Sequence, residues 1–224
     1  MSTTHPSHNT LLARAAKQHL AGMGMQRKGQ SRVWFVDRGW WLAVVEFQPS
    51  AWSKGSYLNV AAMWLWNAKD YWSFDEGGRV ESFREFKDAE QFSEVAEALA
   101  VRAREEVQVL LQRFPSMAAV ASHLRRHSDD NPWHTYHAAM AALAIGDVDH
   151  AQKRFRALLA VRDEAPFMIA LQEKVKKFAE CLASGAEPVA VVAQEVEKAR
   201  ALLKLGPLDT TSSDHRQGDA HVQR

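Results

Sequence analysis

The chain has 224 residues, of which 46% are hydrophobic and 25% charged, with a formal net charge of +1. Those fractions are those of a folded globular chain and exclude a disordered one, and the near-zero charge removes any general attraction to nucleic acid or anionic lipid. The longest apolar runs, Trp40 to Val45 and Val60 to Trp66, are far shorter than the roughly 18 residues of a spanning helix, so no membrane segment is expected.

In chain order, Met1 to Thr10 is polar and carries His5, Pro6 and His8 where a secretion signal would be basic and then apolar. A cytoplasmic location is expected from this. Leu12, Ala16, His19 and Leu20 then recur at helical spacing behind Asn9, and Gly22 and Gly24 end that helix. From Met25 to about Glu85 the pattern is that of strands: Met25 to Lys28, Arg32 to Asp37, Trp40 to Gln48, Tyr57 to Trp66, and a weaker one at Arg79 to Phe83. Turn residues lie between them, at Gly29, Gly39, Pro49 to Ser56 and Asp75 to Gly78.

Parity sets the register of the two longest strands, because apolar residues must share one face of a sheet. Trp41, Ala43, Val45 and Phe47 alternate on one, and Leu58, Val60, Ala62 and Trp64 on the other. An antiparallel pairing of Trp41 with Trp64 and of Phe47 with Leu58 brings both sets together. It also puts Glu46 opposite Asn59 and Gln48 opposite Tyr57 on the other face.

After Lys87 the period is helical. Phe92, Val95, Leu99, Ala103, Val107, Leu110 and Phe114 mark a long helix that stops at Pro115 and whose stripe fits the inner face of the sheet. Further helices are predicted at 115–127, 132–145, 148–162, 166–184 and 187–205, bounded by Pro132, Gly146, Pro166, Gly185, Pro188 and Gly206-Pro207. The fold class is therefore α+β: an antiparallel sheet of about five strands packed on helices within residues 1–114, then a helical region over 115–206. The polar tail 207–224 is expected to be disordered. Within the helical part, Trp133, Tyr136, Ala139, Gly146, Ala151 and Phe155 resemble one tetratricopeptide-like hairpin, with no second copy following. Cys181, the single cysteine, excludes an internal disulfide and falls on a helical pattern between Phe178 and Leu182, where a buried or half-buried thiol is expected.

Residues 11–124 resemble a bacterial family known only as a domain of unknown function. The resemblance rests on the leading helix, the strand Gly24-Met25-Gln26-Arg27-Lys28, the Phe47-Gln48 strand end, Trp52, the strand Tyr57-Leu58-Asn59-Val60 and the closing Phe92 to Phe114 helix. It implies a bacterial source and this order of elements, and carries no catalytic residue.

Three groups of residues hold the chemistry. Glu46, Gln48, Tyr57 and Asn59 form a polar constellation, with Arg79 and Asp75 as neighbours from the last strand. Such a cluster orients a polar ligand or a partner's backbone, although one face of an antiparallel sheet is ordinarily polar. Seven of the eight tryptophans lie between Trp34 and Trp72. Trp52 sits in the Pro49 to Ser56 loop, where an exposed ring would anchor a partner. His123 and His127 are four apart and His134 and His137 three apart, spacings compatible with a metal. Arg125 and Arg126 stand inside the first pair and would repel a cation, and His137 borders the apolar face of Trp133, Tyr136 and Met140. Neither a metal nor a cofactor is expected, and Gly-rich phosphate loops, nucleophile elbows and paired cysteines are missing from the sequence.

These features favour a non-enzymatic binding protein, of immunity or accessory type, that holds a protein partner on its Trp-rich sheet region. The helical half then serves as a second interaction surface or a homodimer contact. The alternative is a hydrolase or nucleic-acid-processing enzyme centred on Glu46, Gln48, Asn59 and Arg79.

Overall fold

A computed structural model describes residues 6–126 and 131–207. The expected tail lies outside the described residues except for Pro207.

Helix α1 (His8–Leu20) starts at Ser7, whose hydroxyl accepts the Thr10 N–H, and buries Leu11, Leu12, Ala15, Ala16 and Leu20. A short 3₁₀ turn, Ala21–Met23, then reverses the chain at Gly24. Five strands follow: β1 (Gln26–Arg27), β2 (Val33–Asp37), β3 (Trp41–Glu46), β4 (Gly55–Trp64) and β5 (Glu76–Glu85). They form one antiparallel sheet in the order β1-β2-β3-β4-β5, so each strand pairs with its neighbour in the chain. The parity-derived register holds, with Trp41 opposite Trp64 and Glu46 opposite Asn59. The last strand is longer than the weak pattern predicted. Its opening Gly77 carries no side chain because a Cβ there would lie 2.6 Å from the Val60 carbonyl oxygen.

Helix α2 (Ala89–Arg113) is capped by Asp88, whose carboxylate accepts the Gln91 N–H. Its buried stripe, Phe92, Ala96, Leu99, Ala100, Ala103, Val107 and Leu110, packs on the sheet face made by Trp41, Ala43, Val45, Phe47, Leu58, Val60, Ala62 and Trp64. Helix α1 packs against α2 in the same cluster.

Five more helices follow among the described residues: α3 (Met117–Arg125), α4 (Pro132–Ala144), α5 (Val148–Ala160), α6 (Pro166–Ala183) and α7 (Pro188–Leu203). Three of them start with proline at the first helical position, where its missing N–H costs nothing. Helix α4 is buried continuously from Thr135 to Leu143, as a helix apolar on every side must be. It forms the expected hairpin with α5, and Tyr136, Ala139, Ala151 and Phe155 are all buried. One continuous cluster of buried residues joins the sheet, α1, α2 and the helices of the C-terminal half.

The second face of the sheet is less polar than expected. Phe35, Leu42, Val44, Met63 and Leu65 are buried there with Ala199 of α7, flanked by Val196, Leu203 and Trp72. Arg200 of α7 pins the helix down by donating to both carboxylate oxygens of Asp37, at 2.9 Å each, and to the Gly39 carbonyl at 3.0 Å. Only the end of this face nearest the β3–β4 loop stays polar. Cys181 is exposed, contrary to expectation. The buried stripe of α6 runs Met168, Leu171, Val175, Phe178 and on to the half-buried Leu182, which leaves Cys181 beside it.

Candidate functional site

The β3–β4 hairpin brings the predicted polar residues together. Asn59, 5% exposed, donates its side-chain N–H groups to Glu46 Oε2 and Gln48 Oε1, both at 2.9 Å. Register pairs Asn59 with Arg79 on β5. The guanidinium of Arg79 reaches across to donate to Gln48 Oε1 at 2.8 Å and lies over the Tyr57 ring, 4.0 Å from its centroid. Tyr57 in turn packs on Phe83. Five of the expected residues, Glu46, Gln48, Tyr57, Asn59 and Arg79, thus form one patch whose polar groups bond to each other.

Asp75 is not part of it, a correction to the expected neighbourhood. β5 runs antiparallel to β4, and the four residues from Asp75 to Arg79 span about 13 Å of extended chain. Asp75 therefore sits at the opposite end of β4, where its Oδ2 accepts the backbone N–H of Trp64 at 2.8 Å and its Oδ1 accepts from Lys69 and Ser73.

The β3–β4 loop presents Trp52 with 95% of its surface exposed. Both ends of this loop are held. At its start Tyr57 N–H donates to the Gln48 carbonyl at 2.9 Å and Arg32 to the Phe47 carbonyl at 3.4 Å; at its end Arg32 donates to the Gly55 carbonyl at 3.0 Å and Phe86 N–H to the Lys54 carbonyl at 2.9 Å. Gly55 itself has φ of 149°, and a Cβ there would lie 2.2 Å from the Arg84 carbonyl oxygen, so the loop closes tightly onto β5. Within the loop, the Ser50 hydroxyl accepts the Trp52 N–H.

The other tryptophans of the sheet are packed. Trp40, Trp64 and Trp66 lie parallel to within 11°, with ring centroids 5.1 to 6.1 Å apart, and Trp41 and Phe114 close on them from the side. Trp34, Trp41, Trp64 and Trp66 are buried. These rings are core, and Trp52 alone among the seven stands clear of the fold.

Among the described residues the histidines do not converge on one metal-capable group. His123 on α3 lies 3.1 Å from Glu76 of β5 and edge-on to Phe114. His137 on α4 is buried and turned toward the sheet, while His134 is half-buried on the same helix. His127 lies outside the described residues. Among the described residues no three metal-capable side chains converge.

His137 belongs instead to a buried polar network that spacing did not single out. The indole N–H of Trp66 donates to its Nδ1 at 3.1 Å, so the ring carries its proton on Nε2, which faces Asp75 Oδ1 at 3.9 Å. Tyr136 donates its hydroxyl to the Trp66 carbonyl at 3.1 Å, and Lys174 of α6 donates to Asn67 Oδ1 at 3.0 Å. Burial holds the His137 pKa down to about 4, despite the opposing pull of Asp75. The sequence signal was His137 inside the otherwise apolar run of α4, since a polar ring there must find a partner.

Comparison with family models, with curated proteins and with solved structures finds no match to this chain.

Proposed function

We propose that the chain is a non-enzymatic binding protein that holds a protein partner at the β3–β4 end of its sheet. The observation that carries this is Trp52, 95% exposed on a loop anchored at both ends. A large ring in water gains nothing for the fold, whereas a pre-positioned ring lowers the entropy cost of association. Beside it, the patch of Tyr57, Arg79, Gln48, Asn59 and Glu46 offers an aromatic and a guanidinium, the side chains that dominate interface energetics. The polar groups of that patch satisfy one another, which suits a rim of defined shape better than a reacting centre with free acid and base. A bacterial, cytoplasmic role of immunity or accessory type agrees with this reading, as does a homodimer contact on the helical half.

The test is affinity capture from the native cells with the wild-type chain and with Trp52→Ala, followed by titration of the retained protein against both. Loss of an interface anchor of this type costs about 2 kcal/mol or more, so affinity should fall about 30-fold or more with the melting temperature unchanged. Equal capture by both chains would remove Trp52 from any interface and overturn the proposal.

A further inference from the structure

A second surface, between the β1–β2 edge of the sheet and the chain after α7, has a chemistry of its own. A cleft of about 1020 Å³ opens between the β1–β2 turn, the β2–β3 turn and the chain that follows α7, a size suited to a small organic ligand. Four cations line it: Arg27, Lys28, Arg38 and Lys204. The chain as a whole carries a net charge of only +1. Gathering four like charges around one concavity is costly unless something of opposite sign offsets them.

Among the described residues nothing supplies that offset. Asp37 is the one carboxylate among the lining residues, and both of its oxygens accept from Arg200. The carbonyls at the end of α7 are closed as well: Ala201 and Arg200 accept from the N–H groups of Lys204 and Leu205, and Gly206 accepts from the Arg200 guanidinium at 2.7 Å. Arg27 donates to two backbone carbonyls, of Ser31 and Gln30, which fix its guanidinium without cancelling its charge. Lys28 lies over the Trp72 ring, 4.6 Å from the centroid, and its partial burial holds its pKa below the usual lysine value. No ion pair engages Arg38 or Lys204 among the described residues.

We infer that this cleft binds a small organic polyanion, of about the size of a mononucleotide and bearing two or more phosphate or carboxylate groups. Guanidinium forks suit both groups, and the ammonium ions of Lys28, next to Arg27, and of Lys204, from a third segment, add point charges. Trp72 and Phe35 give the cleft an apolar wall, so a ligand with an organic body fits better than a bare ion.

Isothermal titration of the full chain with ATP, tripolyphosphate and citrate, at low salt and without added metal, tests this. Binding of at least one of the three with Kd below about 100 μM is expected, weakening as salt screens the charges. The choice among the three separates phosphate from carboxylate recognition, and ATP against tripolyphosphate reads the contribution of the organic body. In the double variant Arg38→Gln, Lys204→Gln the affinity should drop about tenfold or more. Both side chains are exposed, so its melting temperature should match that of the wild type. No binding of any probe at 1 mM (about tenfold above that Kd) would overturn the inference. So would binding that the double variant leaves unchanged, or binding of a single-stranded RNA by a chain that ignores all three small anions.

Discussion

The indole N–H of Trp66 donates to Nδ1 of His137 across 3.1 Å, and through that bond the end of the sheet is joined to the most buried helix of the C-terminal half. The bond requires a neutral imidazole, because a protonated ring has no acceptor to offer. Burial enforces the same state by holding the pKa at about 4 against an ordinary 6.5.

Stability should therefore depend on pH through His137. The unfolded chain takes up a proton near pH 6.5, while the folded one resists until about pH 4. The folded state binds fewer protons in that window, so its advantage is complete above pH 6.5 and is lost as pH falls toward 4. The loss amounts to about 3 kcal/mol. Asp75 acts in the same direction at lower pH: burial pushes its carboxyl up, but Lys69, the Trp64 N–H and His137 once protonated outweigh that and leave it lowered, so its share is lost only below pH 3.8. Urea unfolding at pH 7 and pH 4.5 should give most of this difference, about 2.4 kcal/mol, and in His137→Gln most of the imidazole's share should vanish. An identical pH dependence in both proteins would show that His137 is not the titrating group.

Leu99 stands in the middle of the α2 stripe and is 3% exposed. Leu99→Asp removes its packing and places a carboxylate where the sheet offers only apolar contacts, a cost of at least about 4 kcal/mol. The melting temperature should fall by about 10 °C or more. A variant that melts like the wild type would mean that α2 does not depend on the sheet for its stability.

Gly55 tests how tightly the Trp52 loop is closed. In Gly55→Ala the new methyl would meet the Arg84 carbonyl oxygen at 2.2 Å and the Phe83 ring at 2.7 Å, with φ of 149° besides. Backbone strain and overpacking together predict a loss of about 3 kcal/mol. Gly22→Ala is the matching control, since nothing lies within 4 Å of its Cβ position. Chemical unfolding should separate the two substitutions clearly, and comparable midpoints would contradict the close approach of β4 to β5 at this point.

The sheet was legible because parity leaves little freedom: alternating residues from Trp41 to Phe47 and from Leu58 to Trp64 allow one register on a shared face, and that register occurs. The Glu46, Gln48, Tyr57, Asn59 and Arg79 patch followed from the same argument. Asp75 did not, because its distance from the patch depends on where β5 begins, and glycines at 77 and 78 hid three residues of strand. The covering of the second face by α7 was also missed. Its signal was present in Leu42 and Val44, apolar residues filling the gaps in the alternation of β3, as happens in strands buried on both sides. What no local pattern could supply was the identity of the cover, since Arg200 meets Asp37 across 163 residues.

That separation also decides what happens while the chain is being made. Every strand pairing closes over a short connection, so the whole meander and α2 can come together from the first half of the polypeptide. Leu42, Val44 and Met63, beside Phe35 and its partner Trp72, then lack their cover until α7 emerges and settles over them. A product ending before Pro188 would carry that surface permanently, as an adhesive flank on an otherwise ordered sheet. The sixteen residues of α7 thus shield the sheet against self-association, and fragments that lack them are the forms expected to aggregate.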